Sequence, residues 1–179
     1  MINERKLSKS ELEKREDIIM KMKGNKRDLV KKYGKDAEAV MYFGNNDGIV
    51  IFDGSHWTTV ALTNSSSVRS LAKGVDGTIY AGGYNELGYI EHNEFGDYRF
   101  ISLKESLQLQ NLSFENIWQI DVIKERVIFR SFKKLFVLEN GNVTQIPSKN
   151  SFIKSFVVGD RYFVQDANEG LYELNLDKN

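Results

Sequence analysis

NNDGIVIFDGSHW, Asn45 to Trp57, decides how the rest of the chain is read. A polar knot (Asn45, Asn46, Asp47, Gly48) precedes an apolar run, Ile49 to Phe52, and Asp53-Gly54 follows before a tryptophan. Gly, Asn and Asp suit the backbone of tight turns, while β-branched and aromatic residues suit a half-buried pleat. The stretch therefore reads as a turn feeding a strand, and the same grammar returns. MYFGNNDGIVIFD from Met41, IYAGGYNELGYIE from Ile79, VIFRSFKKLFVLE from Val127 and FVQDANEGLYELN from Phe163 superpose at offsets of 38, 48 and 36 residues. Each joins two β-type runs through a polar turn. Ile49, Leu87, Leu135 and Leu171 fall in register, as do Asp53, Glu91, Glu139 and Asn175.

Two more strand-like runs separate the copies. One follows the repeat (Thr58–Leu62, Tyr98–Leu103, Val143–Ile146), and one precedes the next (Val68–Leu71, Ile117–Val122, Ile153–Val158). Asp76-Gly77 and Asn140-Gly141 are hairpin signals, because a type I′ turn needs positive φ at both central residues. Four strands in a repeating unit of this length is the content of a propeller blade, whose apolar faces only neighbouring blades can cover. The expected fold is mainly β: a partial β-propeller of four-stranded antiparallel blades with an N-terminal α-helical appendage. The appendage takes residues 1–40 and the incomplete propeller 41–179. Its parts are a partial blade over 41–62, full blades over 68–103 and 117–146, and a partial blade over 153–176. The strand count should run three, four, four, three. Stacked hairpins in a β-sandwich are the alternative.

The N-terminal part has a different composition. Residues 1–38 hold 12 Lys/Arg against 8 Asp/Glu, and neither Phe nor Trp. Ser8-Lys9-Ser10-Glu11 has capping-box spacing, with Leu12, Ile18, Ile19 and Met22 as an apolar stripe after it. Gly24 suits a C-cap, and Asn25 and Asp36 could cap further short helices. A solvated helical appendage and a basic patch for an acidic partner are the two readings of this segment; the interleaved acids weaken the second. Over the whole chain the formal net charge is zero, which gives no argument for nucleic acid. No apolar run has the length of a membrane helix. The polar N-terminus is unlike a secretory signal, so the chain as written is expected in the cytoplasm. There is no cysteine and there are two histidines, His56 and His92, so neither a metal site nor a cofactor is expected.

YFGNNDGIVIFDGSHW, VRSLAKGVDGTIYAGGYNELGYIE and IWQIDVIKERVIFRSFKKLFVLENG resemble the propeller repeats in sensor regions of bacterial two-component regulators, including hybrid histidine kinases. The resemblance covers about Met41 to Asn175. It implies a periplasmic ligand sensor, with carbohydrate breakdown products as frequent inputs, and carries no catalytic motif. The chain departs from that pattern in lacking a signal sequence and downstream output modules, and in holding too few blades. ELEKREDIIMKMKGNKRDLVKKYGKDAEAVMY is similar to a short helical segment of small phage proteins of unknown role. The two resemblances meet near Met41-Tyr42, which suggests a fragment or a fusion.

Chemistry weighs against an enzyme. Asp53, Glu91 and Glu139 sit in register at strand ends, which reads as turn capping rather than the paired carboxylates of a glycosidase. Trp57 and Trp118 read as packing residues, with a sugar-stacking platform as the sharper alternative. A non-catalytic ligand-sensing module is the leading reading; a phage-related structural or interaction protein with the blades as a docking platform is the other. In a propeller the loops between strands two and three share a face with the connections entering each next blade. Those loops are Asn45-Asn46-Asp47, Tyr84-Asn85-Glu86, Ser131-Phe132-Lys133 and Ala167-Asn168-Glu169. They mix amide, acid and aromatic groups, as a polar small molecule or oligosaccharide requires. The expected site is a weak polar face centred on Asn46, Asp47, Tyr84, Asn85 and Glu86. Open terminal blade faces are expected to drive self-association.

Overall fold

The computed structural model describes residues 40–93, 96–106 and 113–176. The helical appendage expected over 1–40 lies outside the described residues except for Val40, which is not helical. Within them the chain is mainly β, with 14 strands in four antiparallel sheets whose strands follow one another in sequence. The first sheet comprises β1 (Met41–Asn45), β2 (Gly48–Phe52) and β3 (Trp57–Val60). The second comprises β4 (Val68–Lys73), β5 (Ile79–Gly83), β6 (Glu86–His92) and β7 (Tyr98–Ser102), and one helical turn, α1 (Leu103–Ser106), follows. The third comprises β8 (Gln119–Ile123), β9 (Arg126–Arg130), β10 (Lys134–Glu139) and β11 (Asn142–Pro147). The fourth comprises β12 (Phe152–Val158), β13 (Arg161–Asp166) and β14 (Gly170–Leu174). The count is three, four, four and three, as the repeat predicts, and 68–102 forms one four-stranded meander.

The third sheet shows why its strands read as continuous apolar runs rather than alternating ones. Val127, Phe129 and Phe136 bury one face against Leu87, Leu103, Phe114 and Ile117. Ile128, Leu135 and Val137 bury the other against Phe152, Tyr162 and Val164. A sheet covered on both sides needs apolar residues at odd and even positions alike. Each fully buried side chain of this size contributes about 1.5–3 kcal/mol. Ring contacts add direction: Phe114 meets Phe136 edge-on at 4.7 Å, and Tyr80 of the second sheet meets Phe129 of the third at 6.0 Å. The first strands of successive sheets are neighbours, β4 beside β8 and β8 beside β12.

Two details depart from the sequence reading. Asn140 and Gly141 both have positive φ, 50° and 75°, and close Glu139 onto Asn142 as a two-residue turn. Asp76-Gly77 does not: only Gly77 is positive (90°), and Lys73 pairs with Ile79 across a wider loop. Asp76 accepts the Thr78 amide at 3.0 Å and its hydroxyl at 2.8 Å, and this local bonding stabilises the wider loop in place of the tight turn. The fourth repeat also shifts. Leu87, Leu135 and Leu171 pair with Gly82, Arg130 and Gln165. Val127 pairs with Leu138 but Tyr162, not Phe163, pairs with Leu174, so the β13–β14 hairpin is one residue longer.

Candidate functional site

In the second and third sheets the turn joining second to third strand is hydrogen-bonded to the connection that enters the next sheet, and in the second and fourth the turn is bonded to the connection that enters its own sheet. The Asn85 amide donates to the Glu115 carbonyl at 2.8 Å and the Ile117 amide to that of Gly83 at 3.0 Å. Asn64 Nδ2 donates to the Tyr84 carbonyl at 2.8 Å. At the third sheet, Ser148 and Phe152 amides donate to the Lys133 and Phe132 carbonyls at 2.9 and 2.8 Å. At the fourth, the Ala167 amide donates to the Ser151 carbonyl at 2.9 Å, and Asp166 accepts Asn150 Nδ2 at 2.9 Å. Gly82 permits the closest of these approaches: a Cβ there would sit 2.5 Å from the Ile117 side chain.

The five residues expected to carry the site are placed in different roles. Asn46 and Asp47 form the exposed turn between β1 and β2, where the Asn46 amide donates to Asn45 Oδ1 at 2.7 Å. Tyr84 is exposed in the β5–β6 turn. Asn85, beside it, is turned inward. Its Oδ1 accepts the Phe114 amide at 2.8 Å, the Glu115 amide at 3.0 Å and the Ser113 hydroxyl at 3.4 Å. Glu86 is buried, and its Oε1 accepts the Leu87 amide at 3.1 Å and the Ser102 hydroxyl at 2.7 Å. Tyr84, Asn85 and Glu86 adjoin in one turn, but the last two use their side chains to hold the scaffold.

A better-formed recess lies at the junction of the third and fourth sheets, a depression of about 590 Å³ lined by Trp118, Gln119, Arg130, Phe132, Ile153 and Phe156, with Lys154 and Ser155. Trp118 sits on the connection before β8, fixed by its amide donating to the Arg130 carbonyl at 2.8 Å. Phe132 sits on the β9–β10 turn. Their rings lie 5.6 Å apart, tilted by 36°, and remain 40% and 37% exposed. Ile153 falls at the register irregularity in β12, where a bulge re-aims a side chain.

Beneath the rings is a polar network. Arg130 is 5% exposed; its Nη1 donates to the Phe152 carbonyl at 2.9 Å and its Nη2 to Gln119 Oε1 at 3.3 Å. Gln119 Nε2 donates to Asp121 Oδ1 at 2.9 Å and to the Ser155 carbonyl at 3.0 Å. Asp121 Oδ2 accepts the Ser155 hydroxyl at 2.6 Å and the Tyr162 hydroxyl at 3.2 Å. Burial pushes the Arg130 guanidinium below its ordinary pKa, against the opposing effects of Tyr162 and Asp121. Burial, reinforced by the Asp121 charge, pushes the Tyr162 phenol up. Sequence reasoning missed this network, although a charge ends the apolar run VIFR and another interrupts WQIDVI. Among the described residues, no group of three or more His, Asp or Glu could hold a metal ion, and no helix is long and apolar enough to cross a membrane.

Fold and site together define a mainly β chain of repeated antiparallel meanders, with an aromatic and arginine-lined recess at one junction. Comparison with family models, with curated proteins and with solved structures returns no match.

Proposed function

We propose that the chain is a non-catalytic binding module, its four meanders the blades of an incomplete β-propeller like those of two-component sensor regions. The observation that supports this is the hydrogen bonding of the β5–β6 and β9–β10 turns to the connections entering the next sheets. This brings the variable, polar and aromatic segments of the repeat to the loop ends of the meanders, while apolar strand residues are spent on packing. Binding residues belong on such loops, held by a rigid scaffold. The ligand is a polar small molecule or an oligosaccharide, and no bond is made or broken. Backbone amide shifts during titration with neutral oligosaccharides and small polar molecules test the reading. Perturbations at Asn46, Tyr84, Trp118 and Phe132 support it. Perturbations confined to Asp76-Gly77 and Asn140-Gly141, at the hairpins between first and second or third and fourth strands, refute it.

A further inference from the structure

We propose that the recess between the third and fourth sheets is a site for a small organic acid, a carboxylate carried on a flat ring, with the ring against Trp118 and Phe132 and the carboxylate on Arg130. This deepens the reading of the turn end as a binding face and rests on it. A guanidinium has five N–H donors and matches a carboxylate through two parallel hydrogen bonds. Arg130 directs two N–H groups to protein acceptors, both neutral, the Phe152 carbonyl and the Gln119 amide oxygen. Its Nε is buried with no hydrogen-bond partner. Nε and Nη2 form one edge of the guanidinium, covered in the free chain, and a carboxylate reaches it by displacing the Gln119 oxygen, the longer of the two contacts at 3.3 Å.

Burying a charge without a counter-ion in contact is costly. The carboxylate in the network, Asp121, acts on Arg130 across space without a hydrogen bond to it, and its oxygens are taken by Gln119, Ser155 and Tyr162. A ligand carboxylate would supply the missing counter-ion. Lys154 on the recess wall adds a second, exposed cation. The ring preference follows from the wall. Two half-open aromatic rings 5.6 Å apart, faced by Ile153 and Phe156, offer apolar surface to a flat group and little to a bare anion.

The test uses the whole chain and three probes: benzoate, its neutral isostere benzamide, and acetate, which lacks the ring. Nuclear magnetic resonance follows the Arg130 Nε–H and Trp118 indole N–H signals. Benzoate is expected to shift both saturably, and to bind about 10-fold tighter than either control, the equivalent of about 1.4 kcal/mol. Trp118→Ala, at an exposed position, should weaken benzoate several-fold while leaving the amide spectrum of the sheets intact. Arg130→Lys should remove the preference for benzoate over benzamide. Should that variant fail to fold, the Nε–H signal of the unaltered chain still decides. Equal binding of benzamide, a response at Trp57 rather than Trp118, or no response at either signal overturns the proposal. If oligosaccharides then still perturb Tyr84 and Asn46, the inference fails while the binding-module reading stands.

Discussion

Asn85→Ala should destabilise the chain more than any other single change at an expected ligand residue. Asn85 has φ of 50°, in the left-handed region that Asn tolerates and Ala does not. The left-handed backbone costs an alanine about 1 kcal/mol. Its side-chain oxygen also accepts the Phe114 and Glu115 amides at 2.8 and 3.0 Å. Losing two such bonds costs about 1 kcal/mol each. The sum, about 3 kcal/mol, is a substantial share of a domain's stability of about 5–15 kcal/mol. For a domain of this size it lowers Tm by about 6–12 °C. Two companion variants separate the contributions. Asn85→Gly keeps the backbone and loses the acceptor, so it should cost about 2 kcal/mol. Asn85→Asp keeps an acceptor and tolerates the backbone, so it should be the mildest. Urea unfolding followed by tryptophan fluorescence gives the energies, and hydrogen exchange at the Phe114 and Glu115 amides reports the local bonds. An Ala variant as stable as the parent, or an Asp variant less stable than Gly, would refute the reasoning.

Gly82→Ala should cost about 1–3 kcal/mol, because the new methyl overpacks a close approach and would sit 2.5 Å from the Ile117 side chain; urea midpoints check it. The bonds from Thr78, side chain then backbone, hold the Asp76 carboxyl below its ordinary pKa. Its contribution to stability is therefore present above the unfolded pKa and lost as pH falls through the lower folded value; Thr78→Ala, which removes the hydroxyl bond and keeps the amide bond, should raise the carboxyl part of the way back in an NMR titration. Phe156, Val158 and Leu171 are exposed on the fourth sheet, and we expect copies of the chain to associate through them. Sedimentation velocity should show oligomers that Phe156→Glu with Leu171→Glu converts to monomer, and an unaltered chain that is already monomeric contradicts this.

The fold was legible where residue type and spacing repeat together. The register of Ile49, Leu87, Leu135 and Leu171 located the third strands of successive meanders, or the second strand in the first sheet, and the Asn140-Gly141 turn followed from its two residues alone. The width of the Asp76 loop was not legible, because it depends on bonds that Thr78 makes back to its own turn. Nor was the one-residue extension of the last hairpin, since FVQDANEG aligns as well on residue type one position away. For the site, the turns were located but the roles within them were not. Asn85 and Glu86 look like ligand groups in the sequence, and only the positions of Phe114, Glu115 and Ser102 show where their oxygens are used. Arg130 looks like a strand end, and only the fourth sheet makes it a buried charge.

Comparing the turn ends of two junctions explains why the aromatic recess forms at one of them. Gly82 and Arg130 hold equivalent places, each opposite a leucine before the turn, and their first-strand partners are Ser70 and Gln119. At the junction of the second and third sheets, the Ser70 hydroxyl donates to the Ile117 carbonyl at 2.9 Å, and the missing side chain of Gly82 lets Ile117 fill the space. At the junction of the third and fourth, the same two places carry Gln119 and Arg130, which reach the Ser155 and Phe152 carbonyls through longer side chains. The backbone logic is unchanged, a polar side chain of one sheet on a carbonyl of the next, but the spacer is larger and charged. A small residue closes the seam with apolar packing; a long cation holds it open and leaves rings at its mouth. In the fourth sheet the equivalent pair is Lys154 and Gln165, beside the exposed Leu171. The repeated strands thus set where sheets meet, and the residue near each turn sets whether the turn end of that meeting is packed shut or left as a recess.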